Sequence, residues 1–549
     1  MEGRTSRHRA DGPRSDGVLT ASRRHTVDYD LPRETFVDCL QRSARAQADA
    51  PAVVEGDTIL TFAELLSSAE RIAGGLRERG VEPGDRVVTQ LPNWWESIVV
   101  SWGVFLAGGV LVPVVPIYRA HELRFIVNQV QPKVVVAPSL FRSYPHAAEL
   151  RAVVGDTSAD VSVVSVRGTA PGTEPFDALL RTAARSVPDP RLQPDDIAVV
   201  LYTSGTTSQP KGALHSHQTL LAEARDIARC CRLDDRDRVF MASPLSHITG
   251  LSYGIVLPAD LGCGVVLQDR WDAATAVELI ESTRCTFTVS ATPFLRGLAD
   301  GYAGRTRSSL RIFVCGGADI PDDLVRRAHA VMGTSVVRTY GSTELPTSSM
   351  ADPFGDLDEA AAGEGSPMGG NEMVVREGDD GRQELLVRGP ELFLGYLDAD
   401  LNQAAFTADG YFRTGDQARI DPDSTVHITG RIKDVINRGG EKFSVAEVES
   451  LLMEHPAVSD VAVVSYPDPV LVERACAYVV PVAGRIPTLD QLREHLVRLG
   501  LAVQKAPEML LIVADLPRTA SGKVQRFLLR EQVRDELASG GLDSRSKRR

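Results

Sequence analysis

Long apolar runs are missing from this sequence. None of its 549 residues lies in a stretch approaching the ~20 consecutive apolar residues of a membrane span, and no apolar signal core marks the N-terminus. The expectation is a soluble, cytoplasmic chain with no integral membrane association. Cysteine is also scarce. The seven thiols (Cys39, Cys230, Cys231, Cys263, Cys285, Cys315 and Cys476) show no Cys-x-x-Cys spacing and several sit in apolar runs. That argues against disulfides or a metal site and predicts reduced core residues. Positive charge is in deficit, with 60 Lys and Arg against 73 Asp and Glu for a net charge of −13. The basic face of a general nucleic-acid binder is therefore absent. No internal repeat and no long low-complexity tract occurs.

What is present is an ordinary globular composition, 43% hydrophobic and 24% charged, at a length that suits roughly two to four domains or subdomains. Residues 1 to about 27 carry Arg, Ser, Gly and Asp with hardly an apolar side chain, and are expected to form a disordered, solvated tail. Thr61-Phe62-Ala63-Glu64 has the form of a capping box, ahead of Leu65, Leu66, Ala69, Ile72, Ala73 and Leu76 at helical spacing and a stop at Gly80. Strands are predicted at about 86–90, 110–115 and 133–137, with helices at 94–106 and 121–128 between them. Trp94 and Trp95 open the first of these helices and read as core. The alternation resumes later, with helices from about 218 and at 273–282, 294–302 and 322–332, and strands at 239–242, 264–268, 286–289, 311–315 and 335–338.

Such alternation means an α/β fold with two packed, mostly parallel, helix-covered sheets. From about residue 370 the pattern changes to short strands (372–376, 384–388, 425–429) and Gly-rich turns, a small β subdomain reaching about 430. A polar, glycine-rich stretch follows, then about 110 residues of α+β pattern, with helices at 445–454 and 489–499, strands at 458–465 and 475–480, and a last helix from about 524. The expected organisation is a tail (1–27), an N-terminal domain (28–430), a hinge (431–435) and a small, mobile C-terminal α+β lid domain (436–549).

The most informative stretch is Tyr202 to Gly212, Tyr-Thr-Ser-Gly-Thr-Thr-Ser-Gln-Pro-Lys-Gly. It follows the continuously apolar, partly β-branched Ile197 to Leu201, so the chain enters it at the carboxyl end of a buried strand, where open α/β sheets put ligands. Gly205 and Gly212 permit close backbone approach, Thr203, Ser204, Thr206 and Thr207 supply hydroxyls, and Lys211 adds a charge suited to a polyphosphate. A Walker loop ends in Gly-Lys-Ser or Gly-Lys-Thr; here Pro210-Lys211-Gly212 stands instead, which disfavours an ordinary phosphate-loop NTPase.

Four further segments stand in order behind it: Gly316-Gly317-Ala318, Thr339-Tyr340-Gly341-Ser342-Thr343-Glu344, Tyr411-Phe412-Arg413-Thr414-Gly415-Asp416, and Pro517-Arg518-Thr519-Ala520-Ser521-Gly522-Lys523. With the first stretch they resemble the adenylate-forming superfamily of acyl-CoA synthetases, peptide-synthetase adenylation domains and luciferases, over nearly the whole chain; Ser208 departs from the usual Gly. The resemblance implies ATP, Mg²⁺ and CoA as cofactors or co-substrates. It implies nucleotide binding by Thr203 to Thr207, Lys211, Gly316, Gly317, Ala318, Tyr340, Gly341, Ser342, Thr343, Asp416, Arg431 and Lys442, with Tyr340 on adenine, Asp416 on the ribose hydroxyls and Glu344 on Mg²⁺. A hard carboxylate oxygen suits that ion beside substrate phosphates. Lys523 is implied as the mobile catalytic lysine acting with Lys211, Thr203 and Glu344, Lys433 as the hinge residue, and Gly439-Gly440 as a border of the pantetheine tunnel.

Pro244-Leu245-Ser246-His247-Ile248-Thr249-Gly250 resembles the acyl-pocket segment of acyl- and aryl-CoA ligases, with Gly316, Gly341 and Leu345 completing the pocket. His247 is expected as pocket wall and pantetheine gate, without proton transfer. Phe240-Met241-Ala242-Ser243 offers no acid for the amino group of an amino-acid substrate. The implied activity is ATP-dependent conversion of a medium-chain, alicyclic or aromatic acid to its adenylate, then to its CoA thioester. The alternative keeps the adenylation and changes the acceptor or oxyanion: carrier-protein loading, amide formation, or nitrite-dependent diazotisation of an aryl amine. Monomer and homodimer both stay open.

Overall fold

The computed structural model describes residues 29–155, 160–181, 192–203, 210–305, 307–317, 320–377, 383–438, 441–468, 471–499, 501–519 and 522–538. Two large sheets organise its first four hundred residues. One has eight strands in the order Gly395–Tyr396, Lys211–Ser216, Ile197–Thr203, Val110–Pro113, Arg86–Thr89, Val134–Pro138, Ser162–Val166 and Glu174–Pro175. It is parallel from Ile197–Thr203 outward, while Lys211–Ser216 turns back antiparallel on Ile197–Thr203. The other has nine, with parallel neighbours Ser335–Tyr340, Ile312–Cys315, Phe287–Ser290, Arg238–Met241, Gly264–Leu267 and Pro51–Glu55 at its centre and antiparallel edges.

Helices Phe36–Ala46, Phe62–Glu78, Trp95–Leu106 and His217–Cys230 share one apolar core with residues of both sheets. Trp95–Leu106 is apolar nearly all round, and every residue from Glu96 to Leu106 is buried, as such a helix requires. Its one buried charge is compensated: Arg167 Nε and Nη2 reach Glu96 at 2.8 Å, and the guanidinium stacks over Trp94 at 4.0 Å. Trp94 is buried and Trp95 half-buried, the core role expected of them. Phe62–Glu78 starts on the Thr61/Glu64 capping box read from the sequence. All seven cysteines are free thiols and six are buried.

Smaller sheets follow. Glu372–Glu377, Gln383–Arg388 and Phe412–Arg413 pair antiparallel, as do Asp416–Ile420 and Val426–Arg431. The C-terminal unit is an α+β layer of Glu441–Ser444, Val435–Arg438, Val472–Pro481, Val458–Asp468 and Met509–Ile512, covered by Val445–Met453, Leu489–Arg498 and Arg526–Ala538 and filled by cores of its own. After the glycine-rich stretch the sequence marks only a helix from about residue 218. The structure instead inserts the strand Lys211–Ser216, whose burial against Ile197–Thr203 is a long-range pairing. Helix Phe36–Ala46, the hairpin of Pro51–Glu55 with Thr58–Thr61, helix His146–Gly155 and strand Ser162–Val166 were likewise not marked in the sequence. Among the described residues no helix is long and apolar enough to cross a membrane.

The contact between Phe62–Glu78 and Trp95–Leu106 depends on Gly103, where a Cβ would collide with Ile72. Overpacking there costs about 1–3 kcal/mol. Gly103→Val is therefore expected to lower the melting temperature by a few degrees, measured by calorimetry; an unchanged melting curve would contradict this packing.

Candidate active site

Strands of both sheets deliver their carboxyl ends to one cavity of about 520 Å³. Thr203 is the last residue of its strand and Lys211 the first of the returning one, and the two are register partners. Both line the cavity. From the second sheet come Gly316 and Gly317 after Ile312–Cys315, and Tyr340 to Glu344 at the end of Ser335–Tyr340. Gly316 leaves no room for a side chain, since a Cβ would lie 2.6 Å from Thr339 Cγ2, and Gly317 has φ +82°. At Gly341 a Cβ would meet the Pro346 carbonyl, so only glycine lets this turn close.

Hydrogen bonds fix the turn. Ser342 N–H donates to the Leu345 carbonyl at 2.9 Å, and Phe393 N–H donates to the Glu344 carbonyl at 2.8 Å. His215 Nε2 lies 2.8 Å from the Thr343 carbonyl, so this nitrogen carries the proton; burial pushes the imidazole down to about 4 and keeps it neutral. The Glu344 side chain is buried and takes the Tyr396 hydroxyl on Oε1 at 2.7 Å, while Lys211 Nζ lies 5.2 Å from the centre of the Tyr396 ring. Carboxylate, phenol and ammonium thus form a chain along one wall.

Across the cavity Asp416 is buried, with Tyr340 donating its hydroxyl to Oδ2 at 2.6 Å and Arg431 Nε 2.9 Å from Oδ1. Each carboxylate oxygen has a further lone pair, which leaves Asp416 able to accept two vicinal hydroxyls. Gly415, at φ +71°, turns the chain into Asp416, and Thr414 Oγ1 accepts the Asp416 N–H at 3.0 Å. Lys523 arrives from the C-terminal unit on a tight turn: Thr519 N–H donates to the Lys523 carbonyl at 2.7 Å and Gly522 N–H to the Thr519 carbonyl at 2.9 Å. Its side chain faces the open cavity. The Arg431 guanidinium, helped by partial desolvation at the cleft, pulls its ammonium down to about 8, against the opposing pull of Asp416 and Glu344.

The remaining wall is less polar. His247 caps the short helix Ile248–Leu251, its Nδ1 accepting the Thr249 N–H at 3.3 Å. Burial, reinforced by Lys523, pushes the imidazole down to about 4, so it is neutral at pH 7. The chain continues through a π-helical turn, Ser252–Val256, which brings Tyr253 to the cavity. Gly250 packs where a Cβ would meet the Pro244 carbonyl.

Of the residues singled out in the sequence, Thr203, Lys211, His247, Ile248, Thr249, Gly316, Gly317, Tyr340 to Glu344, Asp416, Arg431 and Lys523 line this one cavity. Gly250 and Leu345 are buried behind its wall and do not line it. Ser204, Gly205, Thr206, Thr207, Ala318, Gly439 and Gly440 lie outside the described residues. Lys433 falls in the 3₁₀ turn Ile432–Asp434 and Lys442 in the strand Glu441–Ser444. Sequence reasoning missed Tyr396, Glu384 and Tyr253, which also line the cavity. None belongs to a segment with a chemical signature of its own, although Gly395-Tyr396 after an apolar run was visible.

The family profile described as AMP-binding enzyme matches residues 40–397, and that of the AMP-binding enzyme C-terminal domain matches 447–523. A medium-chain fatty-acid–CoA ligase of Escherichia coli (strain K12) is 34% identical over 524 residues, 92% of this chain and 91% of its own. A salicylyl-CoA synthase / salicylate adenylyltransferase of a Streptomyces species is 34% identical over 523 residues, 91% of this chain and 94% of its own. Among solved structures, ATP-bound MatB from Rhodopseudomonas palustris aligns with a TM-score of 0.80 at 28% identity, covering 91% of this chain and 99% of that one.

A lysine titrating near 8 loses its proton, and becomes nucleophilic, as pH rises through that value, well below the ~10.4 of an ordinary lysine. Amine-directed labelling of Lys523, followed by peptide mass mapping, is expected to rise between pH 7 and 9 and to slow when ATP is added. A profile that climbs only above pH 10 would contradict the placement of Lys523 beside Arg431.

Proposed function

This chain belongs to the AMP-binding enzyme family and is an enzyme of the AMP-forming acyl-CoA ligase class, and on that premise we propose that the cavity activates a small organic acid with ATP and passes the acyl group to CoA. One observation carries the reading. Lys523 from the C-terminal unit and Thr203, Lys211, Glu344, Asp416 and Arg431 from the large one face a single space, with cations, carboxylates and hydroxyls arranged as a nucleoside triphosphate requires.

In this reading the ribose hydroxyls bind Asp416, the adenine lies against Tyr340, and the polyphosphate lies along the loop between Thr203 and Lys211. A carboxylate oxygen of the acid attacks the α-phosphorus, the bond to the pyrophosphate oxygen breaks, and acyl-adenylate and pyrophosphate result. Charge grows on the phosphoryl oxygens, where Lys211 and Lys523 offset it, so positioning and electrostatics do the catalysis and no protein nucleophile is needed. The hard oxygens of Glu344 and Thr203 suit Mg²⁺, which when bound neutralises phosphate charge. In the second step the CoA thiolate attacks the acyl carbon and AMP leaves. The turn Ile432–Asp434 acts as the hinge at Lys433. Asp434 is held by Arg530 at 2.5 Å in the last helix, so the turn is tied to the lid.

The neutral, half-buried His247 suits a wall or gate rather than an acid or base. Medium-chain, alicyclic and aromatic acids are all candidates. The Streptomyces relative is named both a CoA synthase and an adenylyltransferase, which keeps open the same adenylation with another acceptor.

The test is pyrophosphate release with aromatic, alicyclic and C4 to C12 acids, and with nitrite plus an aminobenzoate, each with and without CoA. Formation of a CoA thioester from one acid is expected; turnover indifferent to CoA and dependent on nitrite or an amine would overturn the acceptor. Lys523→Ala should abolish most adenylate formation and leave thioester formation from supplied acyl-adenylate largely intact, and equal loss of both would refute the two-step use of the lid.

A further inference from the structure

Behind the acyl wall lies a polar layer that acid activation does not use. Tyr253 and Thr347 both line the cavity, and their hydroxyl oxygens are 2.5 Å apart. Glu223 stands behind them, fully buried. One of its oxygens takes the Tyr253 hydroxyl, and the other accepts the Thr347 N–H at 3.1 Å. A second fully buried carboxyl, Glu391, is hydrogen-bonded to Glu223 and receives Asn371 Nδ2 at 3.0 Å.

Two carboxyls in contact in an apolar interior do not both ionise, and burial raises both. The pair shares one proton. Glu223 takes the Tyr253 hydroxyl and the Thr347 N–H, donors that favour its ionised form, whereas Glu391 receives Asn371 alone, so the proton is held by Glu391 and given to Glu223. Glu223 is then the carboxylate, an acceptor only, and it must receive the Tyr253 proton. The Tyr253 oxygen in turn accepts from Thr347 Oγ1. The Thr347 hydroxyl proton is consumed inward, and at this cavity-lining residue the oxygen has only lone pairs left to offer.

We propose that Thr347, set through Tyr253 by the Glu223–Glu391 pair, is a specificity-determining acceptor that selects acids bearing an O–H or N–H on the body of the molecule over their unsubstituted and O-methylated counterparts. This rests on the acid-activation reading above and adds the chemical class of the acid. Glu223 and Glu391 act as positioning residues. A site built to accept a hydrogen bond rejects the ligand lacking the donor, because its own buried polar group is left unpaired.

The experiment compares kcat/KM for pyrophosphate release across matched acids: benzoate with its hydroxy, amino and methoxy derivatives, and hexanoate with 6-hydroxyhexanoate. The best donor-bearing acid is expected to exceed its parent by about tenfold or more, with no such gain for the methoxy analogue. Thr347→Val, which keeps the shape and removes the acceptor, should bring that ratio close to one. Thr347→Ser should retain it, and so should Glu391→Gln, whose amide still donates to Glu223. Equal turnover of donor-bearing and parent acids by the unmodified enzyme overturns the inference alone, as does a ratio unmoved by Thr347→Val. Should Thr347→Val fail to fold, the methoxy comparison in the unmodified enzyme decides. Absence of turnover with every acid overturns the activation reading and this inference with it.

Discussion

The ion pair between Asp416 and Arg431, 2.9 Å long, is where the parts of this protein meet. The two residues are register partners at the ends of adjacent antiparallel strands, immediately before the turn that leads into the C-terminal unit. Tyr340, at the carboxyl end of a strand of the nine-stranded sheet, donates its hydroxyl to the same carboxylate, and the Ile432 N–H donates to the Gly415 carbonyl at 2.9 Å. One buried carboxylate thereby joins the nine-stranded sheet, the small β layer and the connection to the lid. An unpaired charge at that depth would be costly, and the pairing turns the cost into a constraint on geometry.

The same guanidinium governs Lys523. Arg431 disfavours the ammonium, and Asp416 and Glu344 favour it, so the lysine sits in a mixed field rather than in a simple salt bridge. A cation held by a tight ion pair is unavailable to a second anion. Here the lysine is brought to the cavity by a short turn and left facing open space. The neutral histidines, buried His215 and half-buried His247, hold backbone and wall in place without adding charge.

Much of this was legible in the residues. The alternation of apolar runs with amphipathic stretches predicted the parallel sheets and their covering helices, and helix Asp322–Met332 has the predicted bounds. The C-terminal α+β unit likewise followed from composition and period. Less legible were elements whose partners are distant. The strand Lys211–Ser216 is carried by its pairing with Ile197–Thr203 and Gly395–Tyr396, not by local propensity. Helix Phe36–Ala46 has a capping box at Thr35 and Asp38, but its apolar face becomes a signal only beside the core it covers.

What the sequence by itself determined is the chemistry available: glycines where backbone must come close, hydroxyls and a lysine at the end of a buried strand, an aspartate after a turn, and a lysine far along the chain. Those requirements are local, set by side-chain type and by the conformations that glycine alone adopts cheaply. What only the tertiary structure decided is proximity and protonation. Glu223 and Glu391 are 168 residues apart and unremarkable as letters; buried together they share a proton and set the direction of every hydroxyl between them and the cavity. Electrostatic character of that kind depends on depth and on neighbours, which a linear sequence does not contain.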